Sequence, residues 1–221
     1  MTGDGRTGAS MPPSGSPLAP DSRLQAVFLQ HRLVAALPPL RGVAPSSAKF
    51  AIGRIVDRLL AVPGGLEPLM LLERDPRRLA AATSLAVLVV MLAHGAGWPS
   101  GALSDLGAAA LLAEIGPVLD EQAPAPAAFR WLLDRGHDDF WLRCALVARH
   151  AFAGGEPSLP HGAAGIALVR LAAVVRSAMA GSPGDLAWWP PATARHEAST
   201  PSLAAVPPEL VALVSQVFAA G

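Results

Sequence analysis

The sequence predicts an all-α protein, and three observations carry that expectation. Apolar residues recur at i, i+3, i+4 spacing through the long segments between Arg23 and Ala180. Gly- and Pro-rich breaks divide those segments into lengths suited to helices. No stretch sustains the apolar–polar alternation, rich in β-branched residues, that a half-buried strand needs. The chain has 221 residues, 52% of them hydrophobic, which is enough for one sizeable core. No internal repeat is visible.

The elements follow in order. Twelve of the first 22 residues are Gly, Pro or Ser, a composition that predicts a disordered leader over 1–22. "RLQAVFLQHRLVAAL" (Arg23–Leu37) has helical spacing, with Leu24, Val27, Phe28 and Val34 on one side, and forms with its linker a unit over 23–45. Ser46 or Ser47 is placed to cap a helix from Ala48 to Val62, stopped by Pro63-Gly64-Gly65. A short helix around Leu66–Glu73 and a longer one over Arg77–His94 come next. Ser100 is expected to cap the following helix, which includes "AALLAEIGPVLDE" (Ala109–Glu121), an apolar run with one carboxylate, Glu114, deep inside it. Helices near Ala127–Arg135, Asp138–Ala153 and Ala163–Ala180 follow, with Asp139 and Arg143 expected to pair at i,i+4. A Pro-rich span over 182–206 leads to "PPELVALVSQVFAA", a short helix opened by Pro207 and Pro208. The expected organisation is one bundle over 46–181, the preceding 1–22 and 23–45 segments, and the 182–221 segment.

Charge and composition narrow the function classes. Seventeen basic and seventeen acidic residues cancel, so no basic excess exists to hold a phosphate backbone, and nucleic acid is not an expected partner. All basic residues but Lys49 are arginine, and Ala, Gly and Pro are abundant, as in a GC-rich bacterial genome. A single cysteine, Cys144, excludes an intramolecular disulfide and a Cys-rich zinc site. Its apolar surroundings predict a packed, inert thiol. The first residues lack the charged-then-apolar layout of a secretion signal. The most apolar run, Leu79–Ala93, has fifteen residues where a membrane-spanning helix needs ~20. It reads as a core helix, and the protein as cytoplasmic.

From about Leu66 to Ala180, roughly half the chain, the order of elements resembles the HD-GYP branch of the HD phosphohydrolase superfamily. "TSLAVLVVMLAHGAGWPSGALSDLGAAALLAEIG" is similar to the family's first two helices and the turn between them. "LRCALVARHAF", "GGEPSLP" and "IALVRLAAVVRSAMAG" are similar to its remaining elements in order. The resemblance implies a helical bundle that binds two or three metal ions and hydrolyses cyclic di-GMP. It also implies where the ligands would stand, and there this chain departs from the pattern. Thr83 occupies the position of the first metal histidine. Ala113 and Glu114 replace the His-Asp doublet, and Pro117 the lysine that follows it. Ser158-Leu159-Pro160 replaces Gly-Tyr-Pro. Of the His-His pair only His150 remains, and Arg176 lies near the place of the final aspartate.

A two-metal hydrolytic site needs several carboxylates and neutral imidazoles to offset two divalent charges and deprotonate a bridging water. One Glu, one His and an Arg do not supply them, and the Arg repels the metals. These positions therefore read as vestigial, with no catalytic residue, no resident metal and no cofactor. Glu114, a buried carboxylate, must find a partner or take up a proton, and Arg176 is the partner at hand. The expected function is that of a pseudoenzyme: a non-catalytic interaction or regulatory module in bacterial signalling with a protein partner. Two alternatives stand beside it. One is a sensor that keeps a cyclic nucleotide through Arg149, Arg170 or Arg176 without hydrolysis. The other is a phosphohydrolase with a rearranged metal site.

Other features carry plainer readings. The literal doublet His137-Asp138 follows Gly136 at a helix start, where Asp138 or Asp139 caps the helix rather than binds metal. His94 sits at a helix end, and His31, His161 and His196 are too scattered to mark a site. "RDPRR" (Arg74–Arg78) has the charges to receive a phosphate but reads as a solvated turn, since Glu73 and Asp75 flank its arginines. Trp188 and Trp189 in "AWWPP" cannot both pack on one helix face. They read as a lid on the core, or alternatively as an exposed anchor for a partner.

Overall fold

A computed structural model describes residues 20–40, 43–150 and 163–180 of the chain. Among these residues the protein is all-helical, with nine helices and no strand. The 1–22 leader falls mostly outside the described residues. Its last three members do not: α1 spans Pro20–Ala36, so Pro20–Ser22 form the first turn of a helix, a position that tolerates a missing backbone N–H.

Helix α2 (Pro45–Leu60) buries Ala48, Ala51, Ile52, Ile55, Val56 and Leu59, a stripe at helical spacing. Neither Ser46 nor Ser47 caps it. The N-cap is Ala44, and Pro45 takes the first helical position, which moves both serines inside the first turn. The turn after α2 passes through Gly64 at φ +73° and Gly65, where an added Cβ would lie 2.2 Å from the Leu59 carbonyl oxygen. The short α3 (Glu67–Leu72) leads into α4 (Pro76–Gly95). Here the carboxylate of Asp75 accepts from the backbone N–H groups of Arg77 and Arg78 at 2.9 and 3.3 Å. The acidic residue within "RDPRR" is thus a helix cap.

Helix α4 runs one residue past His94 and ends in a left-handed glycine, Gly97 at φ +77°. The Trp98 N–H reaches the Ala93 carbonyl and the Gly97 N–H that of His94, the paired bonds that close a helix on glycine. Helix α5 (Ser100–Ala113) follows. Pro99, not Ser100, is its N-cap, and Ser100 is its first residue.

The run Ala109–Glu121, expected as one helix, is broken. Glu114 ends α5 in helical conformation, and α6 (Gly116–Leu119) starts after Ile115. Pro117 explains the break, because its ring has no N–H to donate back to residue 113. Asp120 then caps the turn into α7 (Pro124–Leu133), accepting from the N–H groups of Gln122 and Ala123 at 2.8 and 3.2 Å. Helix α8 (Asp139–His150) opens on Asp138, whose carboxylate accepts from the Trp141 N–H at 3.0 Å. Helix α9 is Ala163–Ala180.

The core is continuous. Helix α4 packs against α1, α2, α3, α5 and α9, and α5 packs against α2 and α8 as well. Almost every residue of α4 from Ala81 to Ala93 is buried, so it lies at the centre with neighbours on several sides. Small residues let α4 and α5 approach closely: a Cβ on Gly107 would stand 2.6 Å from Val90 Cγ2 and 2.9 Å from Ile55 Cγ1. By length and composition, α4 and the Ser100–Leu119 stretch are each apolar enough to cross a membrane, and 72% of the most apolar 18-residue window in each is buried within the bundle.

Two expectations are corrected. Of the α1 stripe, Val34 packs partly against the core, while Leu24, Val27 and Phe28 do not face it. These side chains are 71%, 65% and 59% exposed, while Leu33 is buried and Leu29 and Leu37 pack partly against it. The spacing showed a face but could not say which way it turned. The Asp139–Arg143 pair is replaced by a longer-range one, in which Arg143 donates to Asp105 on α5 at 2.8 Å. Asp105 also accepts from Arg58 of α2, so one carboxylate ties three helices together.

Candidate functional site

The positions that the sequence marks as vestigial fall on four helices. Thr83 lies in the first half of α4, Ala113 and Glu114 at the end of α5, His150 at the end of α8 and Arg176 in α9. The structure brings Glu114 and Arg176 into direct contact. Arg176 Nη1 donates to Glu114 Oε1 at 2.7 Å and to the carbonyl oxygen of Ala81 at 2.7 Å. Both side chains are nearly sealed, 4% exposed for Arg176 and 7% for Glu114. The partner that the sequence offers Glu114 is the partner it has.

Local sequence explains the arrangement. The "LAAAT" run of α4 presents small side chains toward the core, and α9 packs against this helix. A guanidinium entering there meets a backbone carbonyl as well as a carboxylate, and its planar fork suits two acceptors at once. A charge-assisted bond in a place closed to water is strong, but it offsets a large desolvation cost.

Thr83 is buried, and its hydroxyl donates to the Leu79 carbonyl at 2.7 Å, within its own helix. Ser84 does the same toward Ala80. Both hydroxyls satisfy themselves locally, as β-hydroxy side chains in helix interiors do. Ala113 is buried and apolar. His150 stands apart from the Glu114–Arg176 pair in its bonding. Its carbonyl accepts from Arg170 Nη2 at 2.8 Å and Nε at 3.2 Å, so Arg170 places a cation at the last turn of α8, where the helix dipole favours it. Partial burial, with the cations Arg149 and Arg170 close by, holds the His150 imidazole below its ordinary value. Sequence reading missed the Arg170 contact; the only signal was two arginines, Arg170 and Arg176, in an otherwise apolar helix.

The arginines expected to hold a nucleotide differ in availability. Arg170 and Arg176 are buried and bonded as above. Arg149 is exposed and lies over the Phe129 ring, 4.8 Å from its centre. Among the described residues, no group of three or more His, Cys, Asp and Glu side chains is placed to hold a metal ion. Cys144 is fully buried, and burial drives its thiol far above the ordinary range. Trp188, Trp189 and the Ser158-Leu159-Pro160 loop lie outside the described residues.

A cleft of about 270 Å3 opens between α2, α4 and α5, walled by Phe50, Val90, Met91 and Leu103, with Ser46, Ser47 and His94 as its polar groups. It sits near the far end of α4 from Ala81, some ~15 Å along the helix axis at the α-helical rise. Compared with family models, curated proteins and solved structures, the chain matches none.

Proposed function

We propose that this protein is a non-catalytic interaction or regulatory module, built on a degenerate HD-GYP-type bundle and serving bacterial signalling of the cyclic-di-GMP kind through a cytoplasmic protein partner. The observation that carries this reading is the buried Arg176–Glu114 pair. In the resembling family the equivalent region holds carboxylates and imidazoles around divalent cations. Here a guanidinium stands among α4, α5 and α9, and the carboxylate of Glu114 is bonded to it. A fixed positive charge opposes the cation pair that hydrolysis would require. Thr83, with its hydroxyl bonded within α4, fits the same reading.

Elemental analysis of purified protein, combined with a phosphodiesterase assay in manganese or iron, tests the proposal. Sub-stoichiometric metal and no turnover of cyclic di-GMP are expected. Stoichiometric metal with turnover would overturn the reading in favour of a rearranged hydrolytic site.

A second reading, a nucleotide sensor without hydrolysis, draws on Arg149, which is exposed and stacked on an aromatic ring. Calorimetric titration with cyclic di-GMP separates the two. A flat titration is expected, since Arg170 and Arg176 are buried. Saturable heat that disappears in Arg149→Ala favours the sensor. Affinity capture from the native organism would then identify the protein partner.

A further inference from the structure

Helix α1 has two opposed apolar faces. One faces the core through Leu29 and Leu33. The other carries Leu24, Val27 and Phe28 at i, i+3, i+4, all largely exposed, with the Arg32 guanidinium over one face of the Phe28 ring, 5.5 Å from its centre. An exposed apolar stripe at helical spacing is the surface on which an amphipathic helix docks. The three side chains expose on the order of a few hundred Å2, well short of the ~1,000 Å2 that a specific complex between separate molecules needs. A patch this small holds an occupant only if that occupant is tethered, because a tether raises the local concentration to about the millimolar range.

The chain carries such an occupant. Residues 207–220, outside the described residues, read "PPELVALVSQVFAA", with Leu210, Leu213, Val214, Val217 and Phe218 at helical spacing and Glu209 as the one charged side chain. Between Ala180 and Pro207 lie 26 residues, 181–206. A random coil of that length has a mean end-to-end distance of about 30 Å, and prolines extend it further. Helices α1 and α9 both pack against α4, so their axes stand no more than about two interhelical spacings apart, on the order of 20 Å at most. Effective concentration is highest when tether length and span are comparable. We propose that the Leu24–Val27–Phe28 stripe is the intramolecular docking site of the 207–220 segment, which lies on α1 as an added helix. This inference goes beyond the proposed function and does not depend on the absence of hydrolysis.

Hydrogen exchange on the full-length chain tests it. Amides of 209–219 are expected to exchange at least about ten-fold more slowly than in an unstructured chain. The double variant Leu24→Asp/Phe28→Asp, on an exposed face, should abolish that protection while leaving α4 and α5 protected. The reciprocal variant Val214→Asp/Phe218→Asp leaves every described residue intact. It should raise exchange in the first turns of α1. Fast exchange of 209–219 in the unmodified protein, or protection indifferent to the α1 charges, overturns the proposal. Protection lost on roughly 100-fold dilution also overturns it, because it assigns the stripe to a second copy.

Discussion

Two carboxylates of the α5 segment hold arginines under opposite conditions. Asp105, midway along the helix, accepts from Arg58 and Arg143, whose side chains are 31% and 48% exposed. Glu114, at the end of α5, meets Arg176 where both are below one-tenth exposed. The chemistry is the same and the separation is only ~13 Å at the helical rise. Water access makes the difference. Around Asp105, solvent screens the charges and can replace either partner, so the contacts tie helices together at small net gain. Around Glu114, solvent cannot replace either charge, so the carboxylate depends on Arg176 to be buried in ionised form.

The largest effect is therefore expected from breaking the dry pair. Glu114→Ala should destabilise by about 3–5 kcal/mol, the usual cost of leaving one buried charge alone. Denaturant unfolding measures it. The double replacement Glu114→Leu/Arg176→Met should recover most of that loss, since apolar residues of similar size also fill such a site. If the double variant is as unstable as the single one, the pair is not an isolated electrostatic unit. Gly107→Ala comes next, at about 1–3 kcal/mol for overpacking, because its methyl would press on Val90 and Ile55. Thermal melting with unchanged helicity would show that α4 and α5 need this close approach.

Asp105→Ala should cost no more than about 1 kcal/mol, and the loss should shrink in high salt. A salt-independent loss as large as that of Glu114→Ala would erase the distinction drawn here. The smallest effect concerns pH. Because the folded protein holds His150 below its ordinary value, the unfolded chain takes up that proton more readily. Stability from this group is complete above about pH 6.5, the ordinary imidazole value, and falls as pH drops below it. Melts at neutral and mildly acidic pH, with His150→Gln as the reference, should differ by a small acid-side loss that the variant lacks.

What was legible in the sequence follows the same division. The helices were readable because Pro63-Gly64-Gly65, the Gly97 region and the Pro124 region interrupt apolar periodicity, and interruption is local. The Glu114–Arg176 pair was readable because a carboxylate in an apolar run demands a partner and few cations were at hand. Helix caps were misread at Ser46, Ser47 and Ser100, since Pro45 and Pro99 move each start and bring the serines inside the helix. The Arg143 partner was misread because sequence favours its i,i+4 neighbour Asp139 while the fold offers Asp105 from another helix. The direction of the α1 stripe was invisible because periodicity defines faces without assigning them to solvent or core.

The sealed position of Cys144 on α8 has a practical side. With its sole thiol locked away and protonated, the native molecule offers thiol-directed reagents no handle. A thiol introduced at any surface point would carry a fluorophore or spin label alone, without first removing the natural one. Labelling at Cys144 itself would then serve as an internal clock for global opening of the bundle.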